Sequence, residues 1–134
     1  MQKFKPKLFT TISLVAIFLF CFILVVIRWL NIFNRNIIVV NRTINSHITN
    51  FTLSVLLCVL IGYLLLMAGK KYSLNVIVGI ILILANFIYE TFLSILNTTD
   101  IIDAVYGFFG VLISLIYLYF ISKYGFDTGG ESVE

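Results

Sequence analysis

The sequence predicts an all-α fold, a polytopic membrane protein built as a four-helix transmembrane bundle. Three observations carry this. Apolar residues make up 61% of the 134-residue chain and charged residues 11%. The apolar residues fall into four runs, each long enough to cross a bilayer. Most charges lie between the runs rather than in them. Soluble domains carry about a quarter charged residues, so a mean hydropathy of +1.12 makes lipid the natural solvent. With one Pro and no polar linker, residues 1–124 read as a single transmembrane domain whose core is the bundle.

A hydrocarbon core of about 30 Å needs roughly 20 apolar residues at about 1.5 Å rise each. Span one is expected over 8–30. Lys3, Lys5 and Lys7 precede it, a start that resembles a secretory signal. The run exceeds a signal h-region and shows no small-residue cleavage site, so it reads as a retained signal anchor. A loop over 31–50 leads to span two, expected over 51–69. Lys70 and Lys71 separate it from span three, 74–96, and Asn97 to Asp103 separate that from span four, 104–122. Connections this short make spans two and three, and spans three and four, antiparallel hairpins. Residues 125–134 are Gly-rich and acidic and read as a flexible cytoplasmic tail.

A cytoplasmic amino terminus places Lys3, Lys5, Lys7, Lys70, Lys71 and Lys123 inside, against Arg28, Arg35 and Arg42 outside. Cytoplasmic flanks carry the excess of Lys and Arg, so a multi-pass cell-membrane protein with both termini cytoplasmic is expected. The basic first loop runs against this bias and calls for acidic partners on its own side. The same scatter of basic residues at helix ends argues for topology rather than nucleic-acid binding.

Inside the apolar runs the polar residues follow helical periods. Gly79, Asn86, Glu90 and Asn97 form one stripe on span three; Asp103, Gly107, Gly110 and Ser114 one on span four; Asn50, Ser54, Cys58 and Gly62 one on span two. Small residues at such spacing let helix backbones approach closely, so Gly62, Gly79, Gly107, Gly110 and Ser114 are expected to pack helices. The outer half of the bundle should then hold a polar cluster of Asn50, Glu90, Asn97, Asp100 and Asp103, within reach of Arg42 and Arg35. Three accounts fit the acids. Glu90 pairs with Arg42 or Arg35 while Asp100 and Asp103 cap span four. Or the cluster recognises a polar or cationic head group, as an intramembrane carboxyl suggests. Or the acids bind a divalent ion or act as general acid and base.

Other chemistry has little support. His47 is read into the first loop with no second His or Cys nearby, which argues against zinc, and no metal or other cofactor is expected. Cys21 and Cys58 sit within apolar runs and read as small buried hydrophobes. No serine lies in a nucleophile elbow. The glycosylation sequons at Asn41, Asn50 and Asn97 are no more than chance supplies in an Asn-rich chain.

The segment from Glu90 to Gly110 resembles the carboxy-terminal hallmark of VanZ-like membrane proteins, Glu-x-x-Gln, a turn with Arg, then Asp-x-x-Asp-x-x-x-Asn-x-x-Gly. Glu90, Asp100, Asp103 and Gly110 match; Leu93, Asn97 and Gly107 replace the Gln, Arg and Asn. Upstream, Asn50 to Gly62 is similar to the family's Asn-x-x-Gly-Asn-x-x-x-Phe-x-Pro-x-Gly, with Leu53, Ser54, Cys58 and Leu60 in place of Gly, Asn, Phe and Pro. Asn36 to Ile44 is similar to the Asn-Leu-Ile-Pro-Phe-x-x-Ile segment before it, with one residue inserted and no Pro. These parts stand in the family's order over residues 36–120.

The resemblance implies a cell-envelope protein linked to low-level resistance to teicoplanin-type glycopeptide antibiotics. It would act without catalysis on how an amphiphilic antibiotic or envelope lipid meets the bilayer, through Glu90, Asp100 and Asp103. The alternative is a transport or assembly subunit that pairs its small-residue faces in a homo- or hetero-oligomer. The absence of an internal repeat and of Gly/Pro-broken spans argues against a transporter acting alone. An enzyme acting on an envelope lipid is the third class and is not expected.

Overall fold

The computed structural model describes residues 4–32, 42–92 and 101–128. In chain order these form β1 (Phe4–Pro6), α1 (Leu8–Ile32), α2 (Arg42–Met67), α3 (Tyr72–Phe92), α4 (Ile101–Tyr124) and β2 (Phe126–Thr128). All four helices are long and apolar enough to cross a membrane, over Leu8–Leu30, Ile44–Met67, Tyr72–Thr91 and Ile101–Tyr124. The fold is an all-α four-helix bundle closed at one end by a short antiparallel strand pair.

Two helices run longer than hydropathy alone suggests. α2 starts at Arg42, not Phe51, and takes in much of what reads as the first loop. Its first turns carry Asn45, Ser46, His47, Thr49 and Asn50, which lower any hydropathy average. Several of those polar groups find partners on neighbouring helices or on their own backbone, so the helix continues where the average falls. α4 extends from Ile101 to Tyr124, with Asp103 in its first turn and Lys123 in its last. Each charge complements the helix dipole at its end. α3 is described as far as Phe92; residues 93–96 of the expected third span lie outside the described residues.

α2 packs against all three other helices, most extensively against α4. Ala104, Gly107, Gly110, Val111, Ser114, Leu118 and Ile121 are buried along α4, packed against α2 and α3. Glycines set the spacing. A Cβ on Gly110 would lie 2.5 Å from the Phe51 carbonyl oxygen on α2. One on Gly62 would overlap the Leu118 side chain, and one on Gly79 would lie 2.8 Å from a Leu115 methyl carbon. Ser114, fully buried, folds its hydroxyl onto the Gly110 carbonyl at 2.7 Å, so no polar group faces the apolar core of Cys58, Tyr63, Leu66, Val111, Leu118 and Ile121 unpaired at that point. α1 packs on the other side of α2 through Cys21, Val55 and Val59. Its exposed positions include Ile12, Phe22 and Ile23, as expected of a helix solvated by lipid.

The α2–α3 turn is dictated by Gly69, the residue at φ 72°. Lys70 N–H donates to Leu65 O and Gly69 N–H to Leu66 O, the paired bonds that end a helix on a left-handed glycine. At the same end of the bundle β1 pairs with β2 in the register Phe4↔Thr128, Lys5↔Asp127 and Pro6↔Phe126. Lys7 N–H donates to Gly125 O at 2.9 Å and Thr10 Oγ1 to the same oxygen at 2.7 Å. The segment after Gly125 therefore begins as a strand rather than as the loose tail expected from its composition. The physical reason is pairing: β1 offers it a backbone partner, and Phe126 lays its ring 5.8 Å from that of Tyr63. Residues 129–134 lie outside the described residues.

Candidate functional site: a polar ladder between three helices

At the end of the bundle opposite the strand pair, polar side chains from α2, α3 and α4 meet in successive layers. His47, Asn50 and Ser54 lie on one face of α2 at helical spacing, so the layers climb about one turn at a time, roughly 10 Å in all at about 1.5 Å per residue. In the first layer His47 Nδ1 and Asp103 Oδ1 share a hydrogen bond of 2.8 Å. The imidazole is buried and lies against Tyr106, ring centroids 5.4 Å apart.

In the second layer Asn50 Nδ2 donates to Glu90 Oε1 at 3.1 Å, and Glu90 is 5% exposed. In the third, Asn86 Nδ2 donates to Ser54 Oγ at 2.9 Å. Gly107 makes room for that bond, because a Cβ there would come within 2.5 Å of Asn86 Nδ2 and 3.1 Å of Ser54 Oγ. The antiparallel course of α2 and α3 brings this about: moving four residues up α2, from 50 to 54, is matched by moving four down α3, from 90 to 86. An ionised group at the bilayer centre costs about 2.5–3.5 kcal/mol on insertion scales. Donors supplied by α2 reduce that cost, and facing the acids inward removes them from lipid.

The sequence-expected site residues distribute as follows. Asn50 and Glu90 are bonded, and Asp103 is held by His47. Asn97 and Asp100 lie outside the described residues, as do Arg35 and the Arg42 side chain, so the pairing of Glu90 with either arginine falls there too. Asp103 stands in the first turn of α4, but its carboxylate reaches across to α2. Arg28 donates from Nη1 to the Asn45 carbonyl at 2.6 Å and ties α1 to the first turn of α2.

His47 is a correction: it is a buried helical residue rather than a loop residue, and it belongs to the ladder. The signal was present, since 47 precedes the stripe at 50, 54, 58 and 62 by one further helical step. Asn86 and Ser54 stood in the expected stripes without being singled out. Asn75, one turn before Gly79, is 1% exposed, and its amide has no hydrogen-bond partner among the described residues. It extends the α3 stripe toward the other end of the bundle.

Among the described residues no three His, Cys, Asp or Glu side chains are placed to hold a metal ion. A cleft of about 560 Å³ between α1 and α4, lined by Phe9, Ala16, Phe120 and Tyr124 and crossed by the Ser13–Tyr117 hydrogen bond, lies away from the ladder and shares no residue with it. What the ladder offers is recognition chemistry: two carboxyl groups from different helices, each fixed in direction by a neutral or imidazole partner, in a low-dielectric setting that strengthens their pull on a cation or donor. Compared with known proteins, the chain matches no family model, no curated protein and no solved structure.

Proposed function

We propose that this chain is a VanZ-like envelope protein that receives the polar, cationic or donor-rich head group of an amphiphile at the ladder, and so alters how glycopeptide-type antibiotics meet the membrane, without chemical conversion of the ligand. The observation that carries the reading is the convergence of Glu90 and Asp103, from α3 and α4, on one face of α2, where Asn50 and His47 hold them. Intramembrane carboxyl groups gathered by separate helices are costly to keep unless they serve a purpose. The antibiotic class rests on the resemblance of Glu90, Asp103 and Gly110 to the family hallmark.

Orientation supports the same reading. Lys70, Lys71 and Lys123 lie at the strand-pair end, and the positive-inside rule favours a cytoplasmic side for it; the ladder would then face the outer leaflet, where such antibiotics arrive. The test is susceptibility to a teicoplanin-type antibiotic in cells expressing wild type or the Glu90→Gln, Asp103→Asn double variant at equal membrane levels. Loss of protection in the variant is expected. Protection equal to wild type would sink the proposal.

A further inference from the structure

The end of the bundle away from the ladder carries the opposite charge. There the α2–α3 turn and the last turn of α4 enclose a cavity of about 340 Å³, walled by Leu66 and Phe126 and ringed by Lys70, Lys71 and Lys123. The lysines come from two separate elements. The left-handed Gly69 turns the chain so that Lys70 and Lys71 face the cavity, and α4 is long enough to bring Lys123 to its rim.

Among the described residues no carboxylate lines this cavity. The acid on the neighbouring strand, Asp127, stands 3.5 Å from Lys7 Nζ. Ser122 also lines the cavity, but its hydroxyl donates to the Tyr119 carbonyl at 2.8 Å, so the ammonium groups dominate the polar wall. Lys123 Nζ lies 5.4 Å from the Tyr124 ring centroid, which steadies one of them. α3 begins at Tyr72, directly after Lys71, and adds the positive end of its dipole to the same side. Like charges around one concavity repel each other and focus a positive potential; an anion placed among them relieves the repulsion. The cavity also sits where α2, α3 and α4 reach the limits of their spans, the level of lipid head groups.

We propose that this cavity binds a phosphate group, carried by an anionic phospholipid head group or present as the free anion. A phosphate diester or monoester has the charge to satisfy more than one ammonium, and the apolar Leu66 and Phe126 walls accommodate the adjoining glycerol and chain of a lipid. Ammonium donors bind phosphate as point charges and need no fixed fork geometry, which suits exposed lysines on a turn.

The experiment follows the melting temperature of the purified full chain in detergent as one of three additives is titrated: inorganic phosphate, phosphatidylglycerol, or a phosphate-free glycolipid. A ligand that binds the folded state raises the melting temperature with concentration. The expected result is a saturable rise with phosphatidylglycerol or with inorganic phosphate and none with the glycolipid. A rise with the phospholipid alone assigns the site to a head group, and a rise with inorganic phosphate assigns it to the free anion. The Lys70→Gln, Lys71→Gln, Lys123→Gln variant should lose the rise, the triple Arg variant should keep it, and Lys5→Gln, which removes one charge from a strand outside the cavity, should keep it. No rise with either phosphate source, a full rise in the triple Gln variant, or an equal loss in Lys5→Gln would overturn the proposal.

Discussion

Asn50 on α2 and Glu90 on α3 are joined by a hydrogen bond of 3.1 Å, and that bond registers the two antiparallel helices in the half of the bundle away from the strand pair. Replacing Asn50 with Ala removes the donor to Oε1. A buried polar group deprived of its partner costs about 1–3 kcal/mol, so Asn50→Ala should lower thermal stability in detergent by that order. Glu90→Gln retains an acceptor at the same place and should cost much less. Equal losses would mean that the charge of Glu90, rather than its bond to Asn50, supports the fold.

His47 and Asp103 should be energetically coupled across α2 and α4. In a double-mutant cycle with His47→Ala and Asp103→Ala, the coupling is expected at about 0.5–3 kcal/mol, the range for groups in direct contact. Additive losses would show that the 2.8 Å contact contributes nothing beyond packing.

Gly110 and Gly79 should respond differently to Ala. At Gly110 the new methyl meets the Phe51 backbone carbonyl at 2.5 Å, which only a shift of α2 against α4 can relieve. At Gly79 it meets the end of the flexible Leu115 side chain. Overpacking typically costs about 1–3 kcal/mol; Gly110→Ala is expected at or above the top of that range and Gly79→Ala near its bottom. Thermal unfolding of the two variants compares them directly, and the reverse order would contradict the packing of α2 on α4.

The strand pair places Lys5 and Asp127 directly opposite each other. In a background lacking Cys21 and Cys58, Lys5→Cys with Asp127→Cys should form a disulfide on mild oxidation, since opposed residues of antiparallel strands bring their Cβ atoms within about 4.5–5.5 Å. Failure to cross-link in folded protein would remove the clasp between the segments before α1 and after α4.

Orientation is open to labelling in intact cells. With the same cysteine-free background, a cysteine at position 99 should react with an impermeant thiol reagent and one at position 70 should not. The inverse pattern would put the ladder on the cytoplasmic side and end the outer-leaflet proposal.

Much of the architecture was legible in the chain because a bilayer imposes a length. Four apolar runs separated by Lys70–Lys71 and by the polar segment before Ala104 can be little other than four spans. The stripes containing Asn86, Glu90, Gly107 and Gly110 were legible too, since helical period is a property of one segment. Misreading came where a residue's environment depends on another helix. His47 and its polar neighbours looked like loop because an average over hydropathy does not register that Asp103 waits on α4. The strand over Phe126–Thr128 was hidden for the same reason: its partner, Phe4–Pro6, lies more than a hundred residues away in the chain.

The sequence by itself determined that this protein is a bundle of four membrane-spanning helices, because hydrophobic length and the spacing of polar residues are local and the bilayer admits few ways to satisfy a backbone. The tertiary structure alone decided which polar group meets which: Asn50 with Glu90, His47 with Asp103, Asn86 with Ser54 beside Gly107, and three lysines around one cavity. Those pairings depend on the relative rotation and register of helices, which are set by close contacts such as Gly110 on Phe51 and Gly62 on Leu118 rather than by any single segment's composition.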